Sequence, residues 1–237
     1  MSGSQPVRVN RSFLSRGEQW LIRWILPRLP ESVSSLDLTI LGVFGAALTA
    51  IALVGCNLSL WFYPLVVVGV AMNWFGDSLD GSLARYRKDE RPRFGFLVDH
   101  TCDLFAQILI IVAFGISPFL SLLSAFVILL CYMLFSAYTY IRATVQKIHQ
   151  MTYIGVGATE FRILMIVWPA VAVAADLNEP LVGPLSRLDL SIMILGALAV
   201  LGLGIKAIRD AREIFVEDHG AQNVLSAARE KPPLANS

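Results

Sequence analysis

Charge is scarce in this chain. Only 16% of its 237 residues are Asp, Glu, Lys or Arg, against about a quarter in ordinary soluble domains. With 56% hydrophobic residues, that scarcity excludes a conventional water-soluble domain. Cysteine is scarce too. Cys56, Cys102 and Cys131 have no metal-ligand spacing and no paired framework, which leaves them as small packing residues. The three histidines, His100, His149 and His219, form no cluster, and no internal repeat is visible. The first 36 residues are polar, with no short apolar core before a small-residue cleavage site, so no cleavable signal peptide is expected. A net charge of +1 identifies no partner, and nucleic acid is not expected among them.

What the chain has is apolar length. Several runs approach or exceed the roughly 18 residues that mark a membrane-crossing helix. The expected fold is an all-α integral membrane protein with six spans, at about 38–56, 59–79, 98–116, 118–140, 161–177 and 189–207. An N-terminal amphipathic helix at about 12–27 precedes them. It places Phe13, Leu14, Trp20, Leu21, Trp24 and Ile25 near one face and Ser15, Arg16, Glu18, Gln19 and Arg23 mostly on the other. That pattern suits a helix lying in the membrane interface, or one packed on the protein's own membrane domain. Three regions follow: a segment 1–36 with the interfacial helix, a six-helix membrane domain 37–213, and a polar tail 214–237 expected to be disordered.

Basic residues set the orientation, because Lys and Arg collect in cytoplasmic loops. With six spans, eighteen of the 19 fall on one side and only Arg187 on the other. Both termini are therefore expected in the cytoplasm. The stretch DSLDGSLARYRKDERPRFGFLVDHTCD, from Asp77 to Asp103, falls on that same side.

Asp77 and Asp80 are spaced i, i+3, and Asp99 and Asp103 are spaced i, i+4. Either spacing puts two carboxylates on one helix face. If the second and third spans are antiparallel neighbours, all four converge, at severe electrostatic cost near lipid. Divalent cations resolve that cost, and hard oxygen ligands select Mg²⁺, Mn²⁺ or Ca²⁺. Two ions held by four carboxylates suit a displacement at phosphorus. Gly81 and Ala84 lie one turn beyond Asp77 and Asp80, and Gly95 one turn before Asp99, so all three leave room for a bulky group. Arg85 offers fork geometry to phosphate. Asp89 and Glu90, by contrast, read as loop salt-bridge partners.

The pattern Asp77, Asp80, Gly81, Ala84, Arg85, nine residues, Gly95, Asp99, Asp103 resembles the signature of the CDP-alcohol phosphotransferase family, with every position filled. Leu38-Thr39-Ile40-Leu41-Gly42 resembles the family's usual opening of the first membrane helix. The resemblance implies two divalent cations, Mg²⁺ or Mn²⁺, on Asp77, Asp80, Asp99 and Asp103. It further implies a CDP pocket lined by Asp80, Gly81, Ala84, Arg85 and Gly95, and Asp103 as general base. A homodimer is implied as well.

A second polar cluster contains Arg142, Glu160 and Arg162. It reads either as positive-inside anchoring to lipid headgroups or as a pocket for the acceptor or its phosphate. Gly157-Ala158-Thr159-Glu160-Phe161-Arg162 loosely resembles the start of the fifth helix in inositol-type members, without their doubled Glu-Arg pattern. The expected activity is phosphatidyl transfer from CDP-diacylglycerol to a small polar alcohol, releasing CMP, at the cytoplasmic face of the membrane (in a bacterium, the inner or plasma membrane). Transfer of phosphocholine or phosphoethanolamine from a CDP-alcohol to diacylglycerol is the alternative within the family. A divalent-cation transporter is the alternative from another class, since intramembrane acids also mark ion paths.

Overall fold

The computed structural model describes residues 7–9, 15–146, 148–150, 158–175, 180–182 and 185–229. Phe13, Leu14 and Gly157, which enter the expectations above, lie outside them. The described chain is helical almost throughout: α1 Ser15–Ile25, α2 Ser35–Gly55, α3 Tyr63–Arg87, α4 Pro92–Ile116, α5 Leu122–Gln146, α6 Ala158–Ala175 and α7 Arg187–Arg229. Short strands Val7–Val9 and Ile148–Gln150 pair in parallel, and Pro180–Val182 pairs antiparallel with Leu185–Ser186. Among the described residues, four helices are long and apolar enough to cross a membrane: α2, α4, α5 and α7. The remaining two expected spans, α3 and α6, carry polar ends, including Asp77, Asp80, Glu160 and Arg162.

Local chemistry explains where these helices begin. Ser34 caps α2 in a reciprocal box: its hydroxyl accepts from Asp37 N, and Asp37 Oδ2 accepts from Ser34 N at 2.8 Å. Pro92 opens α4, where a missing N–H costs nothing. Between α3 and α4 only residues 88–91 are non-helical. The stretch YRKDERPRF, which reads as a linker, is therefore a tight turn flanked by helix. Lys88 adopts a left-handed conformation (φ 57°), and Asp89 N donates to Ala84 O at 3.0 Å, closing α3.

The seam between α2 and α3 is built from glycine. A Cβ on Gly69 would lie 2.7 Å from Thr49 N, and one on Gly45 would lie 2.7 Å from Gly69 O. Only hydrogen permits such close backbone approach, the usual device where lipid supplies no hydrophobic drive between helices. Above this seam, Leu53, Val66, Val70, Ile110 and Phe119 form a core less than 2% exposed. Pro169 lies inside α6, and the Tyr63 hydroxyl of α3 donates to Ile166 O nearby at 2.5 Å. Trp168 Nε1 donates to Phe119 O at 3.0 Å, tying α6 to the α4–α5 turn.

Helix α1 departs from the expected face pattern. Ile22 and Ile25 pack with Leu26, Leu38, Leu79 and Leu83, and Glu18 lies on this packed side. It accepts from Trp74 Nε1 at 3.2 Å and from Ser78 Oγ at 3.1 Å. Trp20 and Trp24 instead point outward, 67% and 50% exposed. The helix thus has two apolar stripes: an aliphatic one facing protein and an aromatic one facing out. After α1, Arg87 at the end of α3 donates to the carbonyls of Pro30, Glu31 and Val33. That clamp delivers the start of α2 to the end of α3.

Two compact units are distinguished, Met1–Met193 and Ile194–Ser237. The second is the continuation of α7, where Lys206 and Asp210 pair at 3.4 Å. The polar tail expected to be disordered is helical to Arg229. Its run EIFVEDHGAQNVLSAAR holds three Ala, two Glu and one each of Gln, Leu and Arg, good helix formers that need no core.

Candidate active site

The turn at residues 88–91 returns α4 against α2, which also packs on α3, and brings Asp99 and Asp103 to Asp77. Carboxylate oxygens of Asp77, Asp99 and Asp103 all lie within 4.8 Å of one another. They line a narrow cleft whose lining also includes Thr39, Gly42 and Val43 of α2. The structure therefore gathers three of the four signature aspartates tightly. Asp80 lines the same cleft but stands apart from the trio, 6% exposed and already engaged. Thr39 Oγ1 donates to Asp80 Oδ2 at 2.7 Å, Gly81 N donates to its Oδ1 at 2.5 Å, and Ser35 Oγ donates to its carbonyl at 2.9 Å.

Two further side chains touch the trio. His100 Nδ1 lies 3.1 Å from Asp99 Oδ2. Arg162 of α6, 5% exposed, donates from Nη2 to Asp77 Oδ2 at 2.5 Å and from Nε to Asn73 Oδ1 at 3.0 Å. Asn73 Nδ2 donates onward to Gly42 O of α2 at 3.0 Å. On α5, Tyr132 and Tyr140 lie two turns apart within electrostatic reach of Asp103.

The remaining signature residues, Gly81, Ala84, Arg85 and Gly95, do not line the cleft. Gly81 and Ala84 are half-buried, and Arg85 is exposed with Nη2 3.2 Å from Ser82 Oγ. A Cβ on Gly95 would meet nothing within 4 Å, and one on Gly81 would meet only the Arg85 guanidinium, 3.4 Å away. These glycines are not packing residues; the space they leave is open. Arg142 and Glu160 are half-buried and do not line the cleft. Asp89 pairs with Arg91 at 3.7 Å on the surface, as the loop reading expects.

Electrostatics decides what the trio can hold. Two carboxylates 4.8 Å apart repel by roughly 3 kcal/mol at an effective dielectric of about 20. Three such pairs exceed what one guanidinium offsets. Hard oxygen donors converging at this spacing fit a hard divalent cation, and neither thiol nor imidazole is needed to complete the set. The residues present thus fit the metal use that the signature implies.

The sequence profile of the CDP-alcohol phosphatidyltransferase family matches residues 28–205, well over half of the chain. The chain belongs to the CDP-alcohol phosphatidyltransferase family. Membership makes it a phosphotransferase of phospholipid synthesis that works on CDP-linked substrates, and decides for an enzyme over an ion carrier. With four helices apolar enough to cross a bilayer, it is an integral membrane protein. Divalent metal use is general in the family, and the acidic trio is compatible with it. Among curated proteins, none matches the chain.

Sequence reasoning about the family signature misses Asn73 and gives Thr39 no role. Both carry a usable signal. Asn73 is an amide inside the apolar run YPLVVVGVAMNWFG, one turn before Asp77 and on its face. Thr39 belongs to the stretch that resembles the family's helix opening, yet only the fold shows that it faces Asp80.

Proposed function

We propose that this enzyme transfers a phosphatidyl group from CDP-diacylglycerol to a small polar alcohol and releases CMP. Asp77, Asp80, Asp99 and Asp103 are assigned to two divalent cations, Mg²⁺ or Mn²⁺. The observation that carries this reading is the convergence of three carboxylates within 4.8 Å, in a cleft that Asp80 also lines. Phosphatidyl transfer is also the activity in the matched family's own description.

When bound, the cations neutralise the diphosphate and polarise the phosphorus under attack. The protein's own groups do the rest. Arg85 grips the donor phosphate in fork geometry. Gly81, Ala84 and Gly95 leave open the surface on which the CDP moiety lies. Asp80, held by Thr39 and Gly81 N, presents a fixed carboxylate to the donor side. Asp103 takes the proton from the acceptor hydroxyl as its oxygen bonds to phosphorus and the bond to the CMP oxygen breaks. Arg142 and Glu160 are assigned to the acceptor side.

The polypeptide is assigned six spans, α3 and α6 being the two more polar helices, with both termini and the catalytic cleft in the cytoplasm. Residues 37–213 form its catalytic domain, and a homodimer is its assembly. Helix α1 lies in the membrane interface through Trp20 and Trp24, whose amphipathic rings suit that zone. The test is CMP release by purified protein with Mg²⁺ or Mn²⁺. CDP-diacylglycerol is offered with a panel of alcohols, and CDP-choline or CDP-ethanolamine with diacylglycerol. Release from CDP-diacylglycerol is expected. Release only in the second arm would reverse the direction of transfer, and release that survives Asp103→Asn would sink the mechanism.

A further inference from the structure

We propose that Arg162, anchored by Asn73, is a positioning residue that presets Asp77 for cation binding and does not contact the acceptor. This rests on the reading of the acidic trio as a cation site. The starting point is Asn73, 4% exposed in the middle of an apolar helix. Its amide is used at both ends. Gly42 O can only accept and takes Nδ2; Arg162 Nε can only donate and takes Oδ1. The amide orientation is thus fixed by chemistry, with no ambiguity between its oxygen and nitrogen.

The relay starts on rigid backbone. A Cβ on Gly76 would collide with Gly42, so α2 and α3 are in contact where Gly42 O is offered. From there the chain of bonds runs Gly42 O, Asn73, Arg162, Asp77. Arg162 Nη2 occupies Asp77 Oδ2, which restricts rotation of a carboxylate that has an oxygen within 4.8 Å of those of Asp99 and Asp103. Nε and Nη2 are both committed, and the side chain is buried, so this guanidinium is a poor fork for an acceptor phosphate.

The sign of one measurement separates positioning from charge. A positive charge beside a cation site weakens cation binding by simple repulsion. Removing it tightens binding if Arg162 acts through its charge, and loosens binding if it acts by holding Asp77. Groups that orient a ligating side chain typically change metal affinity 10–100-fold.

The experiment measures Mn²⁺ binding to full-length purified protein by electron paramagnetic resonance of the free ion, without substrate. Arg162→Gln should weaken Mn²⁺ binding about tenfold or more. Arg162→Lys should remain weakened, because one ammonium cannot span Asn73 and Asp77. Asn73→Ala keeps every formal charge and should still lose affinity severalfold. Should Arg162→Gln not fold, Asn73→Ala decides alone. Unchanged or tighter Mn²⁺ binding in Arg162→Gln, or unchanged binding in Asn73→Ala, overturns the proposal. So does a raised acceptor KM in Arg162→Gln with Mn²⁺ affinity intact, which would return Arg162 to the acceptor pocket. A wild-type protein that binds no Mn²⁺ fails differently: it removes the cation reading, and this inference with it.

Discussion

Two clusters gather around aspartates near opposite ends of α4, and they are built on opposite principles. Beyond its C-terminal end, Asp189 is 4% exposed and surrounded by donors. Ser121 Oγ and Ser124 Oγ donate to Oδ1, while Ser186 N and Oγ donate to Oδ2 at 3.0 and 2.8 Å. Ser186 also accepts from Asp189 N at 3.1 Å, making a reciprocal cap for α7. One carboxylate meets four donors, and the group is complete. Toward the N-terminal end of α4, three carboxylates share one cleft and Arg162 pairs with one of them. The difference is between an acid that fastens helices and acids left to bind something else. A site that is over-charged when empty is expected where function, and not stability, set the residues.

The widest gap between the clusters should appear in Asp103→Asn. CMP release should fall by about 10³-fold or more, as loss of a general base and a cation ligand predicts. Metal-free protein should at the same time become more stable, by about 1–3 kcal/mol, because one repulsive partner is gone. Thermal unfolding in the presence of a chelator, beside the CMP assay, reads both. A destabilised metal-free variant would break the comparison.

Asp189→Ala should behave in the reverse sense. It strands buried hydroxyls and a backbone N–H, at a cost of about 3 kcal/mol. Thermal unfolding should register that loss, while Mn²⁺ affinity of the folded fraction stays unchanged. If Mn²⁺ affinity fell in step with stability, the two clusters would not be independent.

The glycines sharpen the same contrast at smaller amplitude. Gly45→Ala forces a methyl into the α2–α3 seam and should cost about 1–3 kcal/mol. Gly95→Ala meets nothing in the protein and should not destabilise it; a helical alanine gains a few tenths of a kcal/mol or more over glycine. Its effect belongs in the KM for the CDP donor, which should rise. Equal destabilisation by both substitutions would mean that Gly95 is a packing residue after all.

These contrasts explain what the sequence makes legible. Asp77, Asp80, Asp99 and Asp103 stand out because carboxylates are costly beside apolar helices, and their spacing alone places each pair on one face. The helical class and the tight turn after Ile116 follow from apolar length and from Pro118. What stays hidden depends on partners distant in the chain. That Asp80 is tied to Thr39 while Asp77 is tied to Arg162 follows from the register of α2 and α6 on α3. The same holds for α1. Its hydrophobic periodicity is plain, but only docking decides that Glu18 turns inward to Trp74 and Trp20 outward. The helical tail to Arg229 is a different miss: polarity argued for disorder, whereas intrinsic helix propensity won.

The smallest expected effect lies at the joint between the two acidic helices. Lys88 is the described non-glycine residue with positive φ, at 57°, a conformation that costs an L-residue roughly 1–2 kcal/mol. Glycine is the usual residue at this position of a helix-closing motif. Lys88→Gly should therefore stabilise the protein, by about 0.5–1 kcal/mol once the entropy of the unfolded glycine is counted. Mn²⁺ affinity and CMP release should not move, since the motif's hydrogen bonds from Lys88 N and Asp89 N are retained by a glycine. If Lys88→Gly instead lowered Mn²⁺ affinity, the turn would be setting the register of Asp77 against Asp99 through strain, and the acidic site would depend on its joint as well as on its two helices.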